Sequence, residues 1–409
     1  MLTRIQKIFD AMEQQSVAYV FSGDAISKTA DQHFPFQVNK NFFYLTHLNL
    51  HQSVLVLIKH KKEDVMLFVP VRTKEKEKWE GILPNFEQIQ QETQLSDIRD
   101  KATFEAFQTS LFTTLRDATY GELKHVYLDV ARPERSCLEE VTFSHELKTN
   151  YPELHIHALS HVFKTLRTIK TDDEIQTIKE AINITHQGLN RLVKTLRDNK
   201  EEHRLHASFL YELHKNQAKE AFDTIIASGK HATILHYVDN NDHIEQNALV
   251  LCDLGAQKNQ YNADITRTYP SSGVFTERQK QLYQLVLEVN QEMIEWIKPG
   301  KSFKDFKEVG KQLLAEKALK IGLIKTPEDI SQYYYHGLGH HLGLDVHDPC
   351  DYDMVLQEGM VLTVEPGIYI EEEGIGIRIE DDVLVTNTGS INLSEAIPKT
   401  IDAIESLFK

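Results

Sequence analysis

Residues 251–268 read Leu-Cys-Asp-Leu-Gly-Ala-Gln-Lys-Asn-Gln-Tyr-Asn-Ala-Asp-Ile-Thr-Arg-Thr. Two strand-like runs each carry an aspartate, Asp253 and Asp264, and the loop between them holds Gly255, Lys258 and Asn259. A hairpin here brings the two carboxylates together. On the second run Asp264, Thr266 and Thr268 share a face, because side chains alternate along a strand. An aspartate ordinarily serves a turn or a helix cap, which suits Asp242. It suits Asp264 poorly, inside an alternating β-branched run.

The same pattern recurs downstream. In Thr-Val-Glu-Pro-Gly (363–367) Thr363 and Glu365 face one way, and Pro366-Gly367 ends the strand. In Arg-Ile-Glu-Asp-Asp (378–382) Arg378 and Glu380 face away from Ile377 and Ile379. A buried carboxylate without a partner is costly, so Arg378 or a metal must compensate it. The segment 336–347 adds four histidines (His336, His340, His341 and His347), and Gly337, Gly339 and Gly343 allow close backbone approach. A lone histidine is ordinarily structural or on the surface, the reading given to His155, His157, His161 and His231. Asp253, Asp264, Glu365, Glu380 and His340 carry too much negative charge for one empty pocket. With a bridging hydroxide they total minus five, against plus four on two divalent ions. Oxygen-rich donors suit hard or borderline ions such as Mn²⁺, so the pattern reads as a dinuclear metallohydrolase.

Composition narrows the alternatives. The chain has 409 residues, 41% of them hydrophobic, 26% charged, and a net charge of −16. That size accommodates two ordinary domains, and the acidic balance argues against nucleic acid. The mixed-sign runs at 59–64 and 74–78 read as solvated surface. Residues 1–15 are amphipathic without the continuous apolar core of a signal peptide, and no stretch approaches the ~20 apolar residues of a membrane helix. Three cysteines (Cys137, Cys252 and Cys350) with no paired spacing fit a reducing cytoplasm. Cys252 is expected to point into apolar packing. No Gly-x-Ser-x-Gly, His-Glu-x-x-His or Gly-x-x-x-x-Gly-Lys is present.

Along the chain, residues 1–165 alternate strand-like runs (18–21, 53–58, 65–71 and 126–130) with polar helical segments, the pattern of an α/β domain. A boundary falls near 165–173. From there Ile175, Ile178, Ile182, Leu189, Leu192, Val193 and Leu196 mark one face of a long helix whose acidic start offsets the macrodipole. A second helix fits 277–298, stopped by Pro299-Gly300. Short strands are expected at 248–253, 262–268, 360–365 and 376–385. Residues 166–409 therefore read as an α+β catalytic domain.

Together these segments resemble the pita-bread metallopeptidases, and within them the aminopeptidase P and prolidase groups. The resemblance rests on the five ligand segments in order, on Ser228-Gly229 and on Ile234-Leu235-His236-Tyr237. In the smaller, creatinase-like N-terminal domain it rests on residues 41–46, the strand to Ile58, and Leu67-Phe68-Val69-Pro70. It implies two divalent ions, Mn²⁺ by preference with Co²⁺ or Zn²⁺ able to substitute, held by Asp253, Asp264, His340, Glu365 and Glu380. His236, His336 and His347 match histidines around the metals or the substrate, and Tyr369 and Arg378 match residues near the substrate. The implied reaction is release of the N-terminal residue from peptides with proline second, by a metal-bridging hydroxide. Glu365 would relay the proton, while His236 and His347 would face the oxyanion. A homo-oligomer (dimer or tetramer), a cytoplasmic location and no membrane partner are also implied. Two alternatives stay open: an Xaa-Pro dipeptidase, and a non-enzymatic pita-bread protein, against which the full ligand set counts.

Overall fold

The apolar runs of the first 165 residues build one sheet. A computed structural model describes residues 2–112, 120–130 and 139–409, in two compact units, Met1–Leu166 and Arg167–Lys409. Cys137 lies outside the described residues. In the first unit six strands run in the order Ile98–Asp100, Glu63–Val69, Val54–Lys59, Ser16–Phe21, His125–Leu128, His155–Ala158. The Ser16–Phe21 strand pairs antiparallel with Val54–Lys59 and parallel with His125–Leu128. Every residue of this strand is buried, so it reads as a continuous apolar run rather than an alternating one. Tyr19 and Phe21 pack edge-to-face on Phe143 at 5.0 and 5.2 Å, joined by Phe68 and Phe104 in the core.

The second unit opens on the Asp172–Asp198 helix, whose Thr171 and Glu174 form a capping box. Ile178, Ile182, Leu189, Leu192, Val193 and Leu196 are buried along one stripe. Each such side chain contributes roughly 1.5–3 kcal/mol, so docking rather than propensity holds the helix. The second expected helix spans Glu277–Trp296, also from a capping box, at Thr276 and Gln279. Ile297 already has extended geometry, which ends the helix two residues short of the expected 298.

Two β systems carry the candidate residues, one between these helices in the chain and one after them. Leu249–Leu254 pairs antiparallel with Ile265–Pro270, with Asp253 opposite Thr266, as the hairpin reading requires. Cys252, on the first of these strands, is fully buried. The second system departs from expectation. The single strand expected at 376–385 is two strands, Ile375–Arg378 and Asp381–Val385, which belong to different sheets. Its partner is broken as well, into Val361–Val364 and Gly367–Ile370. The pairings are Val364 with Asp381 and Gly367 with Arg378, one register carried across both breaks. Pro366, with no N–H to donate, explains the interruption on one side. In that register Glu365 stands directly opposite Glu380, both at the gap between the sheets.

Candidate active site

Like charges directly opposite across a strand pair destabilise it, so the Glu365–Glu380 pair requires compensation. Asp264, His340 and Glu380 each offer one ligand atom, all within 4.8 Å of one another. His340 Nε2 is 3.4 Å from Asp264 Oδ2 and 3.7 Å from Glu365 Oε1. The His340 tautomer follows from its other nitrogen. Nδ1 lies 3.1 Å from the His341 carbonyl, which can only accept, so Nδ1 carries the proton and the Nε2 lone pair faces the carboxylates. The ring's place is fixed by the backbone: His340 N donates to Thr363 Oγ1 (3.1 Å) and Thr363 N to His340 O (2.9 Å). A Cβ at Gly339 would collide with the Thr363 carbonyl, so this approach demands glycine.

Burial, and after it the neighbouring carboxylates Asp253, Asp382 and Glu365, hold the Asp264 carboxyl well above the usual carboxylate range. Burial, then Asp264, Glu365 and Asp253, does the same for Glu380. Glu365 is raised by burial, an effect that His340 and Arg378 oppose. Asp253 differs. Its Oδ2 accepts from Arg378 Nη2 at 2.5 Å, and its buried Oδ1 has no hydrogen-bond partner among the described residues. Four carboxylates, an orphaned oxygen and an outward imidazole lone pair form a donor set that fits hard or borderline divalent ions.

Around this cradle lies a directed hydrogen-bond chain. His336 Nδ1 is 2.7 Å from the Gly337 carbonyl and must donate to it, so Nε2 accepts from the Tyr369 hydroxyl at 2.8 Å. The Tyr369 oxygen in turn accepts from Arg378 Nη1 at 2.8 Å. Burial and the Arg378 charge push the His336 pKa down to about 3, which keeps it neutral. His347 stacks on His340 with ring centroids 3.9 Å apart, and burial and His340 lower its pKa to about 4. His236 is exposed, and its charge contributes to the lowering of both His336 and His347. A separate cleft of about 560 Å³, lined by Lys230, His231, Asp242 and Glu373 among others, includes none of the ten candidate residues.

Sequence reasoning passed over four residues that place these groups. Thr266 Oγ1 donates to Glu380 Oε2 at 2.6 Å and accepts from Arg378 Nε at 3.1 Å. Asp382 Oδ2 accepts from Asp264 N at 3.2 Å. Arg167, fully buried, donates to Asp345 (2.7 Å) and Asp348 (2.5 Å), which anchors the histidine loop. Arg267 is fully buried beside Glu380. Thr266 and Arg267 stand in the 251–268 hairpin, and Asp382 stands two residues past Glu380.

The shifts fix a pH dependence for the metal-free protein. Asp264, Glu365 and Glu380 have folded pKa values above their unfolded ones, near 4. Their stabilising contribution is present below pH ~4 and lost as pH rises through the folded values. His336, His341 and His347, lowered to between about 3 and about 4, act oppositely below pH ~6.5, so the raw melting curve mixes both signs. The gain in Tm on adding Mn²⁺ reports deprotonation of the whole proposed donor set, the carboxylates and His340 together. It is expected to grow steadily with pH above ~4, and a gain independent of pH in calorimetry would contradict the assignment.

Residues 176–387 match the model of metallopeptidase family M24, and residues 2–119 match the aminopeptidase P N-terminal domain. The chain is 33% identical to an Xaa-Pro aminopeptidase of Haemophilus influenzae, over 99% of this chain and 96% of that one. It superposes on a candidate aminopeptidase P from Bacillus anthracis with a TM-score of 0.94 at 39% identity, covering 100% of this chain and 97% of that chain. A zinc-substituted Escherichia coli aminopeptidase P in complex with product gives 0.89 at 28% identity, covering 100% and 97%. The chain belongs to metallopeptidase family M24, with an aminopeptidase P N-terminal domain ahead of the catalytic one.

Proposed function

We propose that this metal-dependent aminopeptidase removes the N-terminal residue from peptides with proline in second position, using two divalent ions, most simply Mn²⁺. The observation that carries the reading is the doubly broken hairpin, which sets Glu365 against Glu380 beside Asp264 and the free lone pair of His340. Asp253, Asp264, His340, Glu365 and Glu380 would hold the ions. When bound, the ions supply positive charge that acidifies a water and polarises the scissile carbonyl.

The chain's own groups do the rest. Glu365, with its raised pKa and its place 3.5 Å from His336 Nδ1, is suited to take a proton and pass it to the leaving prolyl nitrogen. His347 is neutral at pH 7 and can donate one N–H to a developing oxyanion, a role we extend to His236 at the exposed edge. The Arg378–Tyr369–His336 chain fixes the wall on which the substrate is oriented. Proline, whose amide nitrogen has no N–H, leaves no donor unpaired in such a pocket. The free thiols at Cys252 and Cys350 support a reducing compartment.

His236→Ala is expected to keep its metal while losing roughly 10²–10³ in kcat, the cost of one oxyanion contact. Metal analysis alongside kinetics checks this: metal loss equal to that of His340→Ala would move His236 among the ligands. The function itself is tested by product analysis on Xaa-Pro-Yaa tripeptides and Xaa-Pro dipeptides, with and without Mn²⁺. Tripeptides should be cut at the Xaa–Pro bond with kcat/KM at least equal to that of dipeptides, and N-acetylation should abolish both reactions. Cleavage of dipeptides alone would make the protein a prolidase; full activity in a verified metal-free sample would remove the hydrolase mechanism.

A further inference from the structure

The outer strands of the N-terminal sheet carry an unusual face. His125–Leu128 and His155–Ala158 pair in parallel with His125 beside His155 and Tyr127 beside His157, so all four side chains emerge on one side. Val126 and Leu128, on the other side, belong to the core. His155–Ala158 is the edge strand of the sheet. An apolar face would be ordinary here; three imidazoles and a phenol are not.

Their geometry converges. His125 Nδ1 and His157 Nε2 are 2.9 Å apart, and Glu13 Oε2 lies 3.6 Å from His125 Nε2. One ligand atom from each of these three residues lies within 4.8 Å of the other two. The rings are braced: His157 stacks on Tyr127 at 4.7 Å, and His155 stacks on His125 at 5.5 Å. The Glu13 backbone N–H donates to the Tyr127 hydroxyl at 3.1 Å, which ties this loop residue over the same strand. The His125 side chain is 20% exposed and that of Glu13 is 59%, so the cluster is open to ions from solvent.

We propose that Glu13, His125 and His157 form a second metal site, in the N-terminal unit, selective for an ion of the zinc class. Two imidazoles and one carboxylate are a borderline donor set that favours Zn²⁺, Ni²⁺ or Cu²⁺ over Mg²⁺, Ca²⁺ or Mn²⁺. With Zn–N bonds of about 2.0–2.1 Å, tetrahedral coordination places two ligand nitrogens about 3.3 Å apart. The present 2.9 Å must open by only a few tenths of an ångström. The proton now shared between His125 Nδ1 and His157 Nε2 moves to the far nitrogen of one ring, and each ring then gives one lone pair. A bound ion would join the loop after the Leu2–Ala11 helix to the outer strands of the sheet. The bland alternative is a hydrogen-bonded histidine pair with no affinity for metal.

The test uses the full-length protein and Zn²⁺ as the probe. Equilibrium dialysis with elemental analysis should show bound zinc per chain reduced by one in the double variant His125→Gln/His157→Gln. Peptidase activity of the Mn²⁺-loaded variant should be unchanged. Independently of any variant, Zn²⁺ should protect His125 and His157 of the wild-type protein from diethyl pyrocarbonate, mapped by peptide mass spectrometry. The exposed His203 should continue to react. Unchanged zinc stoichiometry in a folded double variant, or equal modification of His125 and His157 with and without zinc, overturns the proposal. Should the double variant misfold, the protection map alone decides.

Discussion

Glu380→Gln is expected to cost the protein its metal and on the order of 10³-fold or more in turnover, while making the metal-free protein harder to melt. The loss follows from the ligand geometry. Glu380 is one of three residues whose ligand atoms lie within 4.8 Å of one another, and a neutral amide is a much weaker donor for a divalent ion than a carboxylate. Metal ions supply several kcal/mol of transition-state stabilisation, and about 1.4 kcal/mol is tenfold in rate. The gain in stability follows from the same hairpin. Glu380 faces Glu365 across the register and is pushed well above the usual carboxylate range by burial and by Asp264. Glutamine keeps an oxygen to accept the Thr266 hydroxyl, now 2.6 Å from Glu380 Oε2, and turns an NH₂ toward the remaining acids in place of a charge. The two halves need separate measurements: metal content with kcat on one side, the Tm of chelator-treated protein on the other. A metal-free Tm lower than that of the wild type would mean that the carboxylates do not oppose one another in the native fold.

That opposition was partly legible in the sequence and partly not. Carboxylates at positions 253, 264, 365 and 380 stood out because each interrupts an apolar or β-branched run. The burial stripe of the Asp172–Asp198 helix followed from its period, and its start from Thr171 and Glu174. The break at Glu380 was not visible. Residues 376–385 alternate as one strand would, and only the partner's Pro366 and the closure of two sheets show that the ladder stops there. Long-range partners were equally hidden. The pairing of Arg167 with Asp345 and Asp348 spans 178 and 181 residues, and no local pattern announces it. His157 reads as a structural or surface histidine and His125 carries no local signal, because the register that joins them belongs to the tertiary structure.

The strongest hidden constraint is Arg267, and its removal is expected to destabilise the protein by about 3–5 kcal/mol, the usual cost of stripping one partner from a buried ion pair. The guanidinium is fully buried and every nitrogen is engaged. Nη1 donates to the Glu380 carbonyl at 2.5 Å and the Thr266 carbonyl at 2.9 Å, Nη2 to Asp381 Oδ1 at 2.8 Å and the Ile397 carbonyl at 3.2 Å, and Nε to the Pro398 carbonyl at 3.1 Å. Arg267→Ala removes one donor from each of those carbonyls, of which the Thr266 carbonyl keeps the Glu380 N–H at 3.0 Å, and leaves Asp381 with Lys399, at 2.6 Å, as its remaining ion-pair partner among the described residues. The contact with the Glu380 carbonyl carries the effect into the site, because it fixes the backbone from which that carboxylate reaches the ligand cluster. Arg267→Lys should rescue little, since a single ammonium cannot match five donors in a planar fork. Denaturant unfolding of metal-saturated and metal-free protein checks the energy, and Mn²⁺ titration checks the coupling. A loss below about 1 kcal/mol, in the range of an exposed pair, or unaltered metal affinity in a folded Arg267→Lys protein, would show that Glu380 is held by the strands on either side of it and not by this arginine.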